Sequence, residues 1–215
     1  MRRLFLASLF LFSLWICACS TGTVPSPTPQ VVSVFSSFAA EPWLSELYDC
    51  AAGPSDVVLS RVDDPNFAEI VLRVGEPEFL GSFAYQIDNE EILVVTQRQS
   101  PIQNLALDEA RALFMGLGDP SVEVWVYASG EDVQWAFDQF VMEGRGVTPS
   151  AHVAVSPQQM SDTLVNEPNT VGILPRHWKA GDSREVLSVA TVPVLALTSS
   201  EPLGVVKELI ACLQK

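Results

Sequence analysis

The sequence contains few basic residues. Its 215 residues include 12 Lys and Arg against 26 Asp and Glu, which gives a formal net charge of −14. Nucleic-acid binding depends on clustered basic side chains that displace counterions from phosphates, so this balance argues against a nucleic-acid partner. The hydrophobic fraction of 48% argues against a disordered chain, because it allows a sizeable core to be buried.

The residue patterns of common catalytic sites are also missing. The sequence has no G-x-S-x-G, H-E-x-x-H or G-x-x-x-x-G-K-[ST] motif, which argues against serine hydrolases, zinc proteases and P-loop enzymes. Of the two histidines, we interpret His152 as a packed strand residue and His177 as a surface or interlobe residue. Paired carboxylates flank strands and are interpreted as solvated: Asp63-Asp64 and Glu90-Glu91. We therefore expect a protein that is not an enzyme and has no metal and no cofactor.

The first residues have the pattern of an export signal. Two arginines precede the apolar run Leu4–Ile16, which at 13 residues is too short to span a bilayer as a helix. The run ends in Ile16-Cys17-Ala18-Cys19, which resembles a bacterial lipobox. We predict that residues 1–18 are a signal peptide and that Cys19 is lipidated. An ordinary secretory signal cut after Ala18 or a little later is the alternative.

A polar linker follows the predicted signal. Residues 19–30 are rich in Ser, Thr and Pro, a composition typical of semi-extended linkers. We predict that they tether a folded domain to the extracytoplasmic face of the bacterial cell membrane. Without Arg2 and Arg3, ten basic residues face 26 acidic ones, so the remaining chain has a formal charge of −16.

Two cysteines remain after the signal and the lipidation site. Cys50 and Cys212 form an even pair in a compartment that permits disulfides. A disulfide would join the first helix of the folded part to the last. The alternative is two separate buried thiols, each packing as a small hydrophobic side chain.

Strand-like and helix-like segments alternate from Val31 onward. The predicted strands are residues 31–35, 57–62, 69–74, 91–96, 122–127, 151–155, 171–174, 186–189 and 192–197. The predicted helices begin at about Pro42, Asn104, Glu131, Pro157 and Pro202. This order indicates an α/β fold. We predict two lobes, residues 31–95 with 180–215 and residues 96–179, and a ligand cleft between them.

One helix has a particularly clear amphipathic pattern. Val133, Ala136, Phe137, Phe140 and Val141 recur at helical spacing, so we predict that they share one buried helix face.

Two serine-containing loops lie between a predicted strand and a predicted helix. At Ser36-Ser37 and at Ser129-Gly130, free backbone N–H groups of the helix start are placed to hold an anion or a polar ligand. The alternative for Ser129 is a capping box with Asp132, three residues further on, which needs no ligand.

Several stretches resemble the phosphate-type periplasmic substrate-binding proteins of ABC transporters, the PBP-like domain. The matching stretches are Ser100-Pro101-Ile102-Gln103-Asn104-Leu105 with Phe114-Met115-Gly116, Ser129-Gly130 with Phe137, and Asn169-Thr170-Val171-Gly172-Ile173. The resemblance implies a two-lobed α/β fold of type 2, with a central cleft and crossing hinge strands. It also implies that the lobes close on a ligand without chemistry.

The resemblance also implies ligand contacts from both lobes. Arg73 lies at a strand end near a ligand-contacting position of the family, with solvent exposure as the alternative. The predicted ligand-binding residues are Ser36, Ser37, Arg73, Tyr127, Ser129, Gly130 and Glu131.

The sequence departs from the phosphate receptors at the second loop. Val126 and Tyr127 occupy positions near which the family has an arginine, and Glu131 replaces a threonine. A carboxylate at this place opposes phosphate electrostatically. We therefore expect a monomeric receptor for a small polar solute, with phosphate disfavoured and other oxyanions still allowed. Its expected partner is an ABC permease or an envelope sensor. The alternative is a ligand-poor module of the same fold that acts as a sensor or interaction partner in the cell envelope.

Overall fold

The computed structural model describes residues 29–53, 57–77 and 83–215. The predicted signal peptide, Cys19 and most of the predicted linker lie outside these residues. None of the described helices is long and apolar enough to cross a membrane.

One eight-stranded sheet organises the described residues. Its strands are β1 (Gln30–Ser36), β2 (Val57–Arg61), β3 (Ile70–Val74), β4 (Phe83–Gln97), β5 (Glu123–Tyr127), β6 (His152–Ala154), β7 (Thr170–Pro175) and β8 (Ser183–Thr198). Their order across the sheet is β2-β1-β3-β8-β4-β7-β5-β6. β1 is parallel to β2 and β3, and β5 is parallel to β6 and β7.

Five α-helices accompany the sheet in the described part of the chain. They are α1 (Glu41–Ala51), α2 (Leu107–Phe114), α3 (Asp132–Phe137), α4 (Pro157–Asn166) and α5 (Gly204–Leu213). α1 begins with Pro42 in its first turn and buries Trp43, Leu44 and Leu47. α4 begins where Ser156 accepts a hydrogen bond from the Gln159 N–H. The predicted α/β fold class is confirmed.

The long strands β4 and β8 are antiparallel to each other and cross between two groups of elements. We call β1–β3 with α1 and α5 the first lobe, and β5–β7 with α2–α4 the second lobe. This is the two-lobed arrangement with crossing strands that the sequence resemblance implies. The residue boundaries predicted for the lobes, 31–95 with 180–215 and 96–179, stay a prediction.

A disulfide closes the first lobe. Cys50 near the end of α1 is bonded to Cys212 near the end of α5, with 6.0 Å between their Cα atoms. The predicted pairing is confirmed, and the alternative of two separate thiols is wrong.

The crossing strands are longer than the sequence pattern indicates. β4 begins at Phe83 rather than at Glu91, because its first half pairs with β8 from Phe83–Thr198 to Glu90–Val192. The polar side chains of this half hide the strand from a search for apolar runs. β8 continues through Thr191, where two separate strands were predicted, because Thr191 pairs with Glu91.

Two helices differ from their predicted form. α2 begins at Leu107 rather than at Asn104, since the Leu105 N–H donates to the Val186 carbonyl of β8 at 2.9 Å. α3 passes into a π-helical turn over Asp138–Met142. The wider turn shifts the helix face, so Met142 is fully buried and Phe140 is 40% exposed, and the predicted burial of Phe140 is wrong.

Gly172 belongs to the stretch Asn169–Ile173, one of those that resemble the family, and its role there is structural. It lies in β7, where a Cβ atom would be 2.5 Å from the Met160 sulfur of α4. Glycine at this position therefore lets α4 pack closely on the sheet.

Candidate ligand-binding cleft

A cavity of about 540 Å³ lies between the two lobes. Its walls are formed by residues 35–38, 61–63 and 130–132, together with Pro65, Val71 and Arg73. This volume is in the range of pockets that hold small molecules.

The topology places the cavity at the carboxyl ends of parallel strands. β1 ends at Ser36, and the chain turns into a 3-10 turn over Phe38–Ala40 before α1. β5 ends at Tyr127, and a short loop leads into α3. Open α/β sheets bind ligands beyond these strand ends, since the connecting loops leave polar groups there.

The cavity brings together most of the predicted ligand-binding residues. Ser36, Ser37 and Arg73 line it from the first lobe, and Gly130 and Glu131 line it from the second. Their role in binding stays a prediction.

Two predicted ligand-binding residues do not line this cavity. Ser129 is exposed on the loop before α3. Tyr127 is 4% exposed and lies in an adjacent narrow crevice, which it shares with Phe38, Glu131 and Asp132. No partner of its hydroxyl is found in the described part of the chain.

Asp132 makes the main polar contact between the lobes. One carboxylate oxygen lies 2.5 Å from Arg73 Nη2, and the other accepts from the Val74 N–H at 2.9 Å. Asp132 is only 6% exposed, so the pair is shielded from water on the acidic side. The alternative of a capping box between Ser129 and Asp132 is wrong, because Glu131 is the N-cap residue of α3 and Asp132 bonds across the cleft.

The sequence did not reveal this ion pair. Arg73 and Asp132 are 59 residues apart and belong to different lobes. The sequence pattern places Arg73 at a strand end. Whether its side chain faces the cleft or the solvent depends on how the two lobes face each other. It lines the cleft, with its side chain 27% exposed.

The second loop carries an unusual concentration of negative charge. Burial, and to a lesser extent the neighbouring charge of Asp132, raises the pKa of Glu131. Burial followed by the charge of Glu131 raises the pKa of the Tyr127 hydroxyl well above 10.0. Tyr127 therefore stays neutral at physiological pH, whereas any bound cation would favour the charged form of Glu131.

Other contacts join the lobes beside the cleft. The Trp178 indole N–H donates to the Ala39 carbonyl at 3.3 Å. The His177 ring packs on Trp43, with 4.7 Å between ring centroids. His177 is therefore an interlobe residue, in agreement with its predicted position.

The buried carboxylate of Glu90 in β4 contacts His177. Its carboxylate accepts from the backbone N–H groups of Glu91 and Arg176 and lies 2.7 Å from His177 Nδ1. Glu90 is 1% exposed, so its interpretation as a solvated residue is wrong: it belongs to the extended part of β4 that the pattern concealed. Burial raises its pKa, and the nearby His177 opposes this effect.

His152 is also placed differently from the prediction. Its side chain is 52% exposed in β6, at the edge of the sheet, and it stacks on Trp125. Its interpretation as a packed residue is therefore wrong. In the described ranges, no group of three or more His, Cys, Asp and Glu side chains is arranged to hold a metal ion.

Replacing Glu90 tests how much its buried carboxylate contributes to stability. We expect Glu90→Ala to lower the free energy of unfolding by about 2 kcal/mol, since two backbone N–H groups lose their acceptor. Glu90→Gln retains an acceptor oxygen and is expected to cost less. Urea denaturation followed by tryptophan fluorescence measures both changes. Equal losses in the two variants would contradict this role.

The same variants give a pH dependence with a defined sign. In the unfolded chain Glu90 titrates near its ordinary pKa of 4.5, and the folded-state pKa is higher. The stabilisation that comes from this difference in the pKa of Glu90 is fully present below pH 4.5 and is lost as the pH rises through the folded-state pKa. We therefore expect wild type to lose stability relative to Glu90→Gln between acidic and neutral pH. A difference that stays constant with pH would contradict the raised pKa.

No family model and no curated protein sequence matches the chain. Solved structures with the same architecture are nevertheless found. A phosphate ABC transporter substrate-binding protein with bound phosphate from Clostridium perfringens aligns with a TM-score of 0.76 at 15% identity, covering 86% of this chain and 93% of that one. The fold is that of the phosphate-type binding proteins. The fold implied by the sequence motifs is thus confirmed.

Other similar structures show that this fold serves different systems. An ABC-type phosphate transport receptor from Vibrio cholerae has a TM-score of 0.63 at 14% identity and covers 86% of this chain and 93% of its own. The CcmR regulatory domain from Synechocystis, in complex with 2-PG, has a TM-score of 0.65 at 11% identity, with 86% and 95% covered. At these identities the similarity establishes the fold alone.

Proposed function

We propose that the chain is an extracytoplasmic, lipid-anchored solute-binding protein that captures a small polar ligand between its lobes for an ABC-type transporter. It presents the ligand without chemical conversion. The lipobox-like segment ending at Cys19 and the polar linker after it support the location.

The observation that carries this proposal is the interlobe cavity. Its walls include the segments that follow β1, β2 and β5, so both lobes contribute polar groups to one cavity. Closure of two lobes on a ligand makes the contacts of both available at the same time. The solved receptors with the same fold, from Clostridium perfringens and Vibrio cholerae, are described as phosphate-binding or phosphate-transporting.

A ligand screen on the full chain in detergent tests the proposal. Thermal unfolding is followed by tryptophan fluorescence in the presence of oxyanions, amino acids, amines and sugars. A ligand present at about 100 times its dissociation constant is expected to add about 2.7 kcal/mol to the free energy of unfolding. If no class of solute raises the unfolding temperature, the transport function is wrong.

A second function is favoured by the Arg73–Asp132 contact. This pair joins the two lobes directly through side chains of the chain itself, which suits a module that senses or contacts another envelope protein. The CcmR regulatory domain is an example of this fold outside transport receptors. A chain that binds no solute but forms a defined complex with an envelope histidine kinase would favour this second function.

A further inference from the structure

The charges around the cleft are unevenly compensated. Arg61 is paired with Glu41, and Arg73 is paired with Asp132. Asp63 and Glu131 also line the cavity, and the structure shows no ion pair for either of them within the described residues. Each arginine at the cleft thus has a carboxylate of its own chain, although the Arg73 Nε–H has no hydrogen-bond partner among the described residues. The charged side chains without an ion pair are negative.

The place that would suit an anion is already occupied. Asp132 accepts hydrogen bonds from both the Arg73 guanidinium and the Val74 N–H, and its side chain is only 6% exposed. An incoming oxyanion would have to displace this carboxylate or lie beside it. Either arrangement is unfavourable, because like charges repel strongly in a partly dehydrated site.

A separate observation indicates where a ligand makes its neutral contacts. The Tyr127 hydroxyl is buried without a hydrogen-bond partner in the described part of the chain, and Tyr127 borders a separate narrow crevice that Glu131 and Asp132 also line. The Ser37 hydroxyl at the cavity is likewise buried and without a partner there. Buried hydroxyl groups normally have partners, so the Ser37 hydroxyl at the cavity is available to a bound molecule.

Aromatic side chains complete the environment. Phe35 and Phe38 line the cavity, and Phe38 also borders the crevice of Tyr127. Aromatic rings attract cations through their negative faces. Hydroxyl oxygens and carboxylates accept hydrogen bonds from ammonium and guanidinium groups.

We propose that the ligand of this cleft is a small organic cation that carries an ammonium or guanidinium group. This inference rests on the proposed solute-binding function and specifies the class of solute. Glu131 is the principal partner of the positive charge, Asp63 is a second one, and Ser37 contributes a neutral oxygen atom.

Matched probes test the sign of the ligand charge. Putrescine, butanediol and succinate share a four-carbon chain and differ in charge, while agmatine, choline and inorganic phosphate extend the set. We expect at least one of the cations to raise the unfolding temperature of the full chain in detergent, and the anions to leave it unchanged. Stabilisation by succinate or phosphate, or by the neutral diol alone, would overturn the inference while the solute-binding function stands. Stabilisation by none of the probes, in a chain that responds to other solutes, would also overturn it. No response to any solute would instead remove the proposed function itself.

A charge-neutral substitution then locates the site. Glu131→Gln is expected to weaken binding of the stabilising cation by about tenfold or more, as measured by titration calorimetry. Its folding should be preserved, because no hydrogen bond of the Glu131 side chain is seen among the described residues. Glu208→Gln removes the same charge from an exposed position on α5 and is the control. Asp63→Asn is a second test from the opposite lobe. Unchanged cation affinity in both cleft variants would overturn the site.

Discussion

Replacing Cys50 and Cys212 together by serine is expected to lower the free energy of unfolding by about 5 kcal/mol. The disulfide joins residues 162 positions apart, so it removes a large part of the conformational freedom of the unfolded chain. The loss is large compared with the total stability of a typical domain. Urea denaturation of the double variant against wild type, under oxidising conditions, measures it.

Reduction provides the control for this substitution. Wild type with a thiol reductant should lose about as much stability as the double variant, whereas the reductant should leave the double variant unchanged. A double variant that retains nearly all of the wild-type stability would show that the packing of α1 on α5 suffices to hold this part of the first lobe.

Replacing Asp132 by alanine is expected to lower the free energy of unfolding by about 3 kcal/mol. The variant leaves the Arg73 guanidinium and the buried Val74 N–H without their shared acceptor. We place the value at the lower end for a broken buried pair, because the Arg73 side chain is 27% exposed and water compensates it in part. Asp132→Asn keeps an oxygen for the Val74 N–H and is expected to cost less.

Added phosphate tests whether the Asp132 carboxylate fills an anion-binding position or only contributes packing between the lobes. Since Asp132 occupies the anion position, millimolar inorganic phosphate should restore part of the stability of Asp132→Ala and have little effect on wild type. Urea denaturation with and without phosphate measures this difference. If phosphate acts equally on both proteins, or if Asp132→Ala is as stable as wild type, Asp132 does not hold this position.

Local sequence patterns were sufficient for most of the fold. The alternating burial of β1 and the apolar face of α1 follow directly from their sequences. Polar strands were more difficult to predict from the sequence. The first half of β4 pairs with β8 although it contains no apolar run, so the start of this strand and the burial of Glu90 were not predicted. The π turn after α3 was missed because it arises from packing and has no fixed sequence signal.

The candidate site was predictable in outline only. Loops that follow parallel strands indicated Ser36, Ser37, Gly130 and Glu131 before the structure. The partner of Arg73 was not predictable, because Asp132 reaches it only after two separate lobes come together. The positions of Arg61 and Asp63 at the cavity were not predicted either, since the sequence of a polar strand end does not indicate whether it faces a cavity or the solvent.

The packing of His177 on Trp43 gives the protein an internal optical probe. The indole is 1% exposed and belongs to the first lobe, whereas the imidazole follows β7 of the second. We expect a rotation that moves the lobes apart on this side to separate the two rings, whose centroids are 4.7 Å apart, and to bring the indole nearer to water. We therefore expect the emission of Trp43 to change with the angle between the lobes, so that opening is recorded without attaching a dye.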